Sequence, residues 1–153
     1  MATTEHRPPR TGEQRRADVL TRLEEDVDAW VATASPEGEQ YMVPLSFVFH
    51  DGGLVMCTRR TSRTARNIRA GSGATIALGH TRDVVLIEAK AEQLAPDGLA
   101  PRAGDAFAAK VGWDPRGDEE YVFLRFLPRT LRAWREENEL KGSVLMRDGV
   151  WRA

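Results

Sequence analysis

The chain has 153 residues, 41% hydrophobic and 29% charged, with a net charge of -1, the profile of one soluble globular domain with a real core. So even a charge balance disfavours nucleic acid as the main partner. One cysteine (Cys57) and three scattered histidines (His6, His50, His80) leave no disulfide and no metal-ligand spacing, and no bilayer-length apolar run or signal-peptide core is present, so a cytoplasmic protein without membrane or metal is expected.

Residues 1–10 are polar and proline-bearing and read as a disordered lead, leaving 11–153 as a single domain. From Thr11 to Glu25 apolar residues at Ala17, Leu20 and Leu23 fit an amphipathic surface helix capped by Thr11. Asp28 to Ala34 and Glu39 to Phe49 read as strands around the turn Ser35-Pro36-Glu37-Gly38. Pro44 removes one ladder donor and marks a strand edge, a bulge or a ligand-facing stretch. Asp51-Gly52 closes a second hairpin, and Leu54 to Thr58 is the return strand.

The next stretch, Cys57 to Arg69, holds Arg59, Arg60, Arg63, Arg66 and Arg69 with no acidic residue among them. Ser62 stands at an N-cap position, ahead of Ala65 and Ile68 on one helix face. A strand running into a capped helix, with arginines around it, outlines an anion site and most economically a phosphate site. The plainer reading is a solvated basic helix face.

Ala74 to Leu78 and Val84 to Leu94 read as strands around a polar loop at His80 and Arg82. Pro96 to Gly104 reads as loop, and Asp105 to Val111 as a short helix capped by Asp105. Tyr121 to Leu127 is strongly strand-like, with Pro128 interrupting it and Thr130 to Arg135 resuming. A last hairpin joins Ser143–Met146 to Val150–Trp151 across Asp148-Gly149. Six to eight short strands with few helices predict a mainly β fold, an antiparallel barrel with helices on its rim.

In this order the residues resemble the pyridoxamine 5'-phosphate oxidase-like proteins, split β-barrels that bind FMN or the related deazaflavin coenzyme F420. The likeness runs from about Asp28 to Trp134. It rests on Val43-Pro44-Leu45-Ser46-Phe47, on the strand end Cys57-Thr58, and on the Ser-Arg-x-x-Arg-Asn helix start at Ser62 to Asn67. The resemblance implies that Val43, Pro44, Leu45 and Ser46 present their backbone to the flavin. It implies that Thr58, Ser62 and Arg63 hold its phosphate, with Cys57, Arg60, Thr64, Arg66 and Asn67 completing the cofactor-binding stretch. Family members often carry lysine where this chain has Thr64, so Arg60 or Arg66 substitutes for that cation or cofactor binding is altered. It further implies a homodimer with the flavin between barrels, His80, Arg82 and Trp134 being candidates for substrate or second-subunit contact. The C-terminal segment lacks the paired Arg and His expected of a true pyridoxamine phosphate oxidase.

Hydride transfer belongs to the cofactor, so the absence of a catalytic triad or acid–base pair fits an oxidoreductase acting on a small organic substrate. No catalytic residue is assigned. The absence fits equally a flavin- or haem-binding carrier or sensor without turnover. Each candidate has a plainer role: Asn67 as a loop brace, Trp134 as packing, His80 as polar surface and Cys57 as a small buried hydrophobe. Phe107 and Trp113, beside the loop between Pro96 and Glu119, are candidates for a lid.

Overall fold

A computed structural model describes residues 7–153. Three α-helices and eight strands run in the order α1 (Gly12–Glu25), β1 (Asp28–Ala34), β2 (Gln40–His50), β3 (Gly53–Arg59), α2 (Arg63–Arg69), β4 (Ala74–Leu78), β5 (Val84–Leu94), α3 (Pro101–Val111), β6 (Tyr121–Trp134), β7 (Val144–Arg147) and β8 (Val150–Trp151). Every strand pairing is antiparallel, in the order β3-β2-β1-β4-β5-β6-β7-β8. A further pairing of β3 with β6, from Leu54↔Phe126 to Arg59↔Tyr121, closes β1 to β6 into a six-stranded barrel and leaves β7 and β8 as an extension. Closure pairs β3 with β6 where an open sheet would present exposed edges, leaving residues 40–46 of β2 paired on one side only.

Local chemistry sets the joints. Asp51 and Gly52 take φ of 51° and 76°, as the tight β2–β3 hairpin requires, and Asp148 and Gly149 repeat the pair at 53° and 77°. Thr11 and Ser62 cap α1 and α2 by accepting from the Gln14 and Ala65 N–H groups.

The strands bury two faces in two ways. Leu54 and Met56 of β3 point into the barrel with Phe47, Val31, Ile76, Ile87 and Phe126, joined by Val19 and Leu23 of α1 and Ala65 and Ile68 of α2. The alternate residues Val55 and Cys57 point outward and are covered by Ala103 and Phe107 of α3, with Phe123 and Val48. This double burial explains why β3 reads as a continuous apolar run. Each fully buried large side chain contributes about 1.5–3 kcal/mol.

Four expectations change here. The helix before β6 begins at Pro101, whose ring suits the first helical position, so Asp105 lies inside α3 instead of capping it. Pro128 does not interrupt β6: Glu88 faces Thr130 and Ala89 faces Pro128, so a bulge absorbs Arg129 and the strand continues. Phe107 is 1% exposed and meets Phe123 edge-on at 5.7 Å, which makes it core instead of lid. Residues 1–6 of the expected lead lie outside the described residues, and its end is tied down. Arg10 donates to Glu139 Oε1 and Oε2 at 2.8 and 3.0 Å and to Asp18 at 2.9 Å.

Pro44 resolves to a strand edge. It pairs with Trp30 in the half of β2 that has β1 on one side only, since β3 joins β2 only from Phe47 onward. Its missing donor breaks no β2–β3 ladder. No helix of the described residues is long and apolar enough to cross a membrane.

Candidate functional site

The β3–α2 junction gathers the phosphate candidates. Thr58, next to last in β3, is half-buried, and its hydroxyl donates to Ser62 Oγ at 3.2 Å. Ser62 Oγ in turn accepts the Ala65 N–H at 3.1 Å. Among the described residues the N–H groups of Arg63 and Thr64 have no acceptor, leaving two backbone donors beside two hydroxyls. The Arg63 guanidinium reaches across to β2, 4.9 Å over the Tyr41 ring and 3.5 Å from Glu39 Oε2.

α2 is held to the barrel from beneath. Asn67 is 8% exposed, and its amide donates to the Thr33 hydroxyl of β1 at 3.1 Å. Arg69 donates to the Arg60 carbonyl at 2.9 Å and to Gln93 at 3.2 Å. The exposed side chains of Arg60 and Arg66 have no partner among the described residues. Thr64 is 1% exposed, so its hydroxyl faces the interior and only its backbone N–H is available to the seat.

Cys57 turns away from this seat. It packs beneath α3, and burial pushes its thiol up to about 12. Its side chain, read from the sequence as a small buried hydrophobe, faces the opposite side from Thr58 and stays a protonated thiol at neutral pH. Among the described residues no group of three or more His, Cys, Asp or Glu stands close enough to hold a metal ion.

A cavity of about 660 Å³ opens beside Tyr41, lined by Ala32, Gln40, Met42, Gly73 and Glu88 among others. It sits one step along β2 from the expected Val43–Ser46 stretch, of which Val43 and Leu45 are half-buried and Pro44 exposed. Ser46 donates to Asp28 at 2.6 Å. A second cavity, about 720 Å³, lies on the other side of Arg60 against Asp97, Asp118 and Tyr121. Both volumes fall in the range of small-molecule sites.

The model of the pyridoxamine 5'-phosphate oxidase family matches residues 17–135, the span that contains the barrel and this junction. The chain belongs to that family. Solved structures share its split-barrel fold. The conserved hypothetical protein Rv2991 of Mycobacterium tuberculosis superposes with a TM-score of 0.65 at 18% identity, over 89% of this chain and 92% of that one. An F420 reductase gives 0.57 at 16%, over 72% and 93%. A haem binding protein from Mycobacterium smegmatis gives 0.62 at 16%, over 88% and 57%. Comparison with curated proteins gave no match.

Within this family member His80, Arg82 and Trp134 do not join the junction. The loop that carries His80 and Arg82 follows β4 at the end remote from α2, five residues and thus about 16 Å of strand away. Arg82 pairs with both carboxylate oxygens of Glu136 at 2.9 Å, and Trp134 is half-buried beneath the Arg132 guanidinium at 5.0 Å. His80 is exposed.

Tyr41, Glu39, Trp30 and Met42 were not picked out from the sequence. Trp30 and Met42 are 45% and 59% exposed on the barrel's outer face, where Pro44, Trp30, Ala77 and Leu86 line up across four strands. The alternation in β1, with Ala29, Val31 and Thr33 buried, was a usable signal that Trp30 points outward.

Proposed function

We propose that this chain binds a flavin nucleotide as FMN, with its phosphate at the β3–α2 junction, and serves as a flavin-dependent oxidoreductase for a small organic substrate. The observation that carries this reading is the clustering within seven residues of the Thr58–Ser62 hydroxyl pair, the Arg63 and Thr64 N–H groups and the Arg63 side chain, which reaches toward a half-strand with one open edge. The donor set fits a phosphate: one guanidinium, hydroxyls and amides with no buried carboxylate among them. Family membership supports it independently.

Bound flavin supplies hydride transfer. The chain's own part is to hold the phosphate, to offer the open edge of residues 40–46 to polar groups of the ring system, and to cover one face of it. The apolar row through Pro44, Trp30, Ala77 and Leu86 supports a second copy of the chain as the other wall, in a cytoplasmic homodimer. In such a pair the partner's loop at His80 and Arg82 approaches the site that lies out of its reach in a single copy.

The deazaflavin coenzyme F420 is the second reading of the cofactor, favoured by one feature. Arg60 and Arg66 are exposed cations without side-chain partners among the described residues, suited to that coenzyme's acidic tail. Titration of the protein with FMN and with F420, followed by fluorescence, decides between them. Micromolar or tighter binding of one and not the other names the cofactor, and failure of both refutes the junction as a flavin-phosphate site. Turnover of the loaded protein with a reduced cofactor and a set of acceptors separates an enzyme from a binding module.

A further inference from the structure

We infer that Glu39 is a tethered competitor at the phosphate seat, an acidic side chain that holds Arg63 until a phosphate monoester displaces it. This rests on the reading of Arg63 as a phosphate ligand. Glu39 Oε2 lies 3.5 Å from Arg63 Nη2, and the two side chains are 72% and 52% exposed, so both remain open to an incoming anion. The Tyr41 ring, two residues along the same strand, supports the guanidinium from one face at 4.9 Å.

The carboxylate stands there by construction of the turn. Ser35 N–H donates to the Glu39 carbonyl at 2.9 Å, and Glu39 N–H donates back to Ser35 Oγ at 3.1 Å. Gly38 supplies the φ of 84° that the turn needs. With the backbone of Glu39 pinned from both its polar groups, the carboxylate leaves Arg63 only by side-chain rotation.

Charge counting gives the consequence. Glu39 neutralises Arg63, and the buried Thr64 adds no cation. A phosphate must break the ion pair and then sit near a carboxylate. The pair is wet, so each effect is small, and together they lower affinity roughly two- to tenfold for a group carrying nearly two negative charges. Riboflavin, which has no phosphate, meets neither effect. The seat therefore holds the phosphate less tightly than the same seat without Glu39 would.

The test measures binding of FMN and riboflavin to the full chain, its Glu39→Gln and Arg63→Ala variants, and the double variant. Glu39→Gln is expected to tighten FMN roughly two- to tenfold and leave riboflavin unchanged. In the Arg63→Ala background the same change is expected to lose most of its effect. Weaker or unchanged FMN binding in Glu39→Gln, with Arg63→Ala still costly, overturns the inference alone: Glu39 then positions Arg63 or merely neighbours it. Unchanged FMN binding in Arg63→Ala overturns the underlying phosphate reading instead. Glu39→Lys serves as a second variant, and its failure to tighten FMN beyond the parent also counts against competition.

Discussion

The Asn67 side-chain amide donates to the Thr33 hydroxyl at 3.1 Å, a buried bond between α2 and β1 across 34 residues of chain. It joins the helix that carries Arg63 to the strand that carries Trp30, so the seat and the outer face are held in one frame. Asn67→Ala leaves the Thr33 hydroxyl short of its donor and is expected to cost about 1–3 kcal/mol of stability. FMN affinity should fall as well, because α2 loosens. Denaturant unfolding measures the first effect; the second must exceed any change seen for riboflavin.

Arg63→Ala is expected to weaken FMN binding by about 1.5–3 kcal/mol, the worth of a charge-assisted hydrogen bond to phosphate. The side chain is half exposed, so the melting temperature should hardly move. Equal affinities for parent and variant would put the phosphate elsewhere.

Acid sensitivity should centre on Glu139. Hydrogen bonds from the Arg10 guanidinium, against the opposing cost of burial, hold its carboxyl down to about 2. A depressed folded-state value means that the stabilisation is complete above the ordinary value of 4.5 and is lost as pH falls toward 2. Up to about 3 kcal/mol rides on this window. Glu139→Gln should be less stable than the parent at pH 7, with the gap closing between pH 4.5 and 2 in urea titrations; a constant gap would assign the loss to packing.

Trp30→Glu tests the second copy. The side chain is 45% exposed, so the barrel should fold, yet a charge enters the apolar row. Light scattering should show a dimer for the parent and a monomer for the variant, with a loss of about 2 kcal/mol or more in association. A parent that is monomeric at all concentrations removes the homodimer from the proposed function.

Cys57 should resist alkylation in the native state at pH 8. Its thiol, raised to about 12 under α3, offers almost no thiolate there. Fast labelling without denaturant would show that α3 opens readily.

The strands, the two helix caps and the hairpin turns were legible in the sequence because they depend on short-range chemistry. Asp51-Gly52 accepts positive φ, Ser62 offers an oxygen to a nearby N–H, and alternation places Val31 inward. The resemblance located the β3–α2 junction for the same reason, since its motif is contiguous. What lay beyond reach was set by pairing at a distance. The outward face of β3 that carries Cys57 is covered by α3, a contact between elements more than 40 residues apart. The β5–β6 register turned Pro128 from a break into a bulge, because a strand paired along its whole length gains more than one missing donor costs. Only the tertiary structure brought Glu39 to Arg63, since an ion pair between a turn and a helix depends on how the barrel sets them side by side.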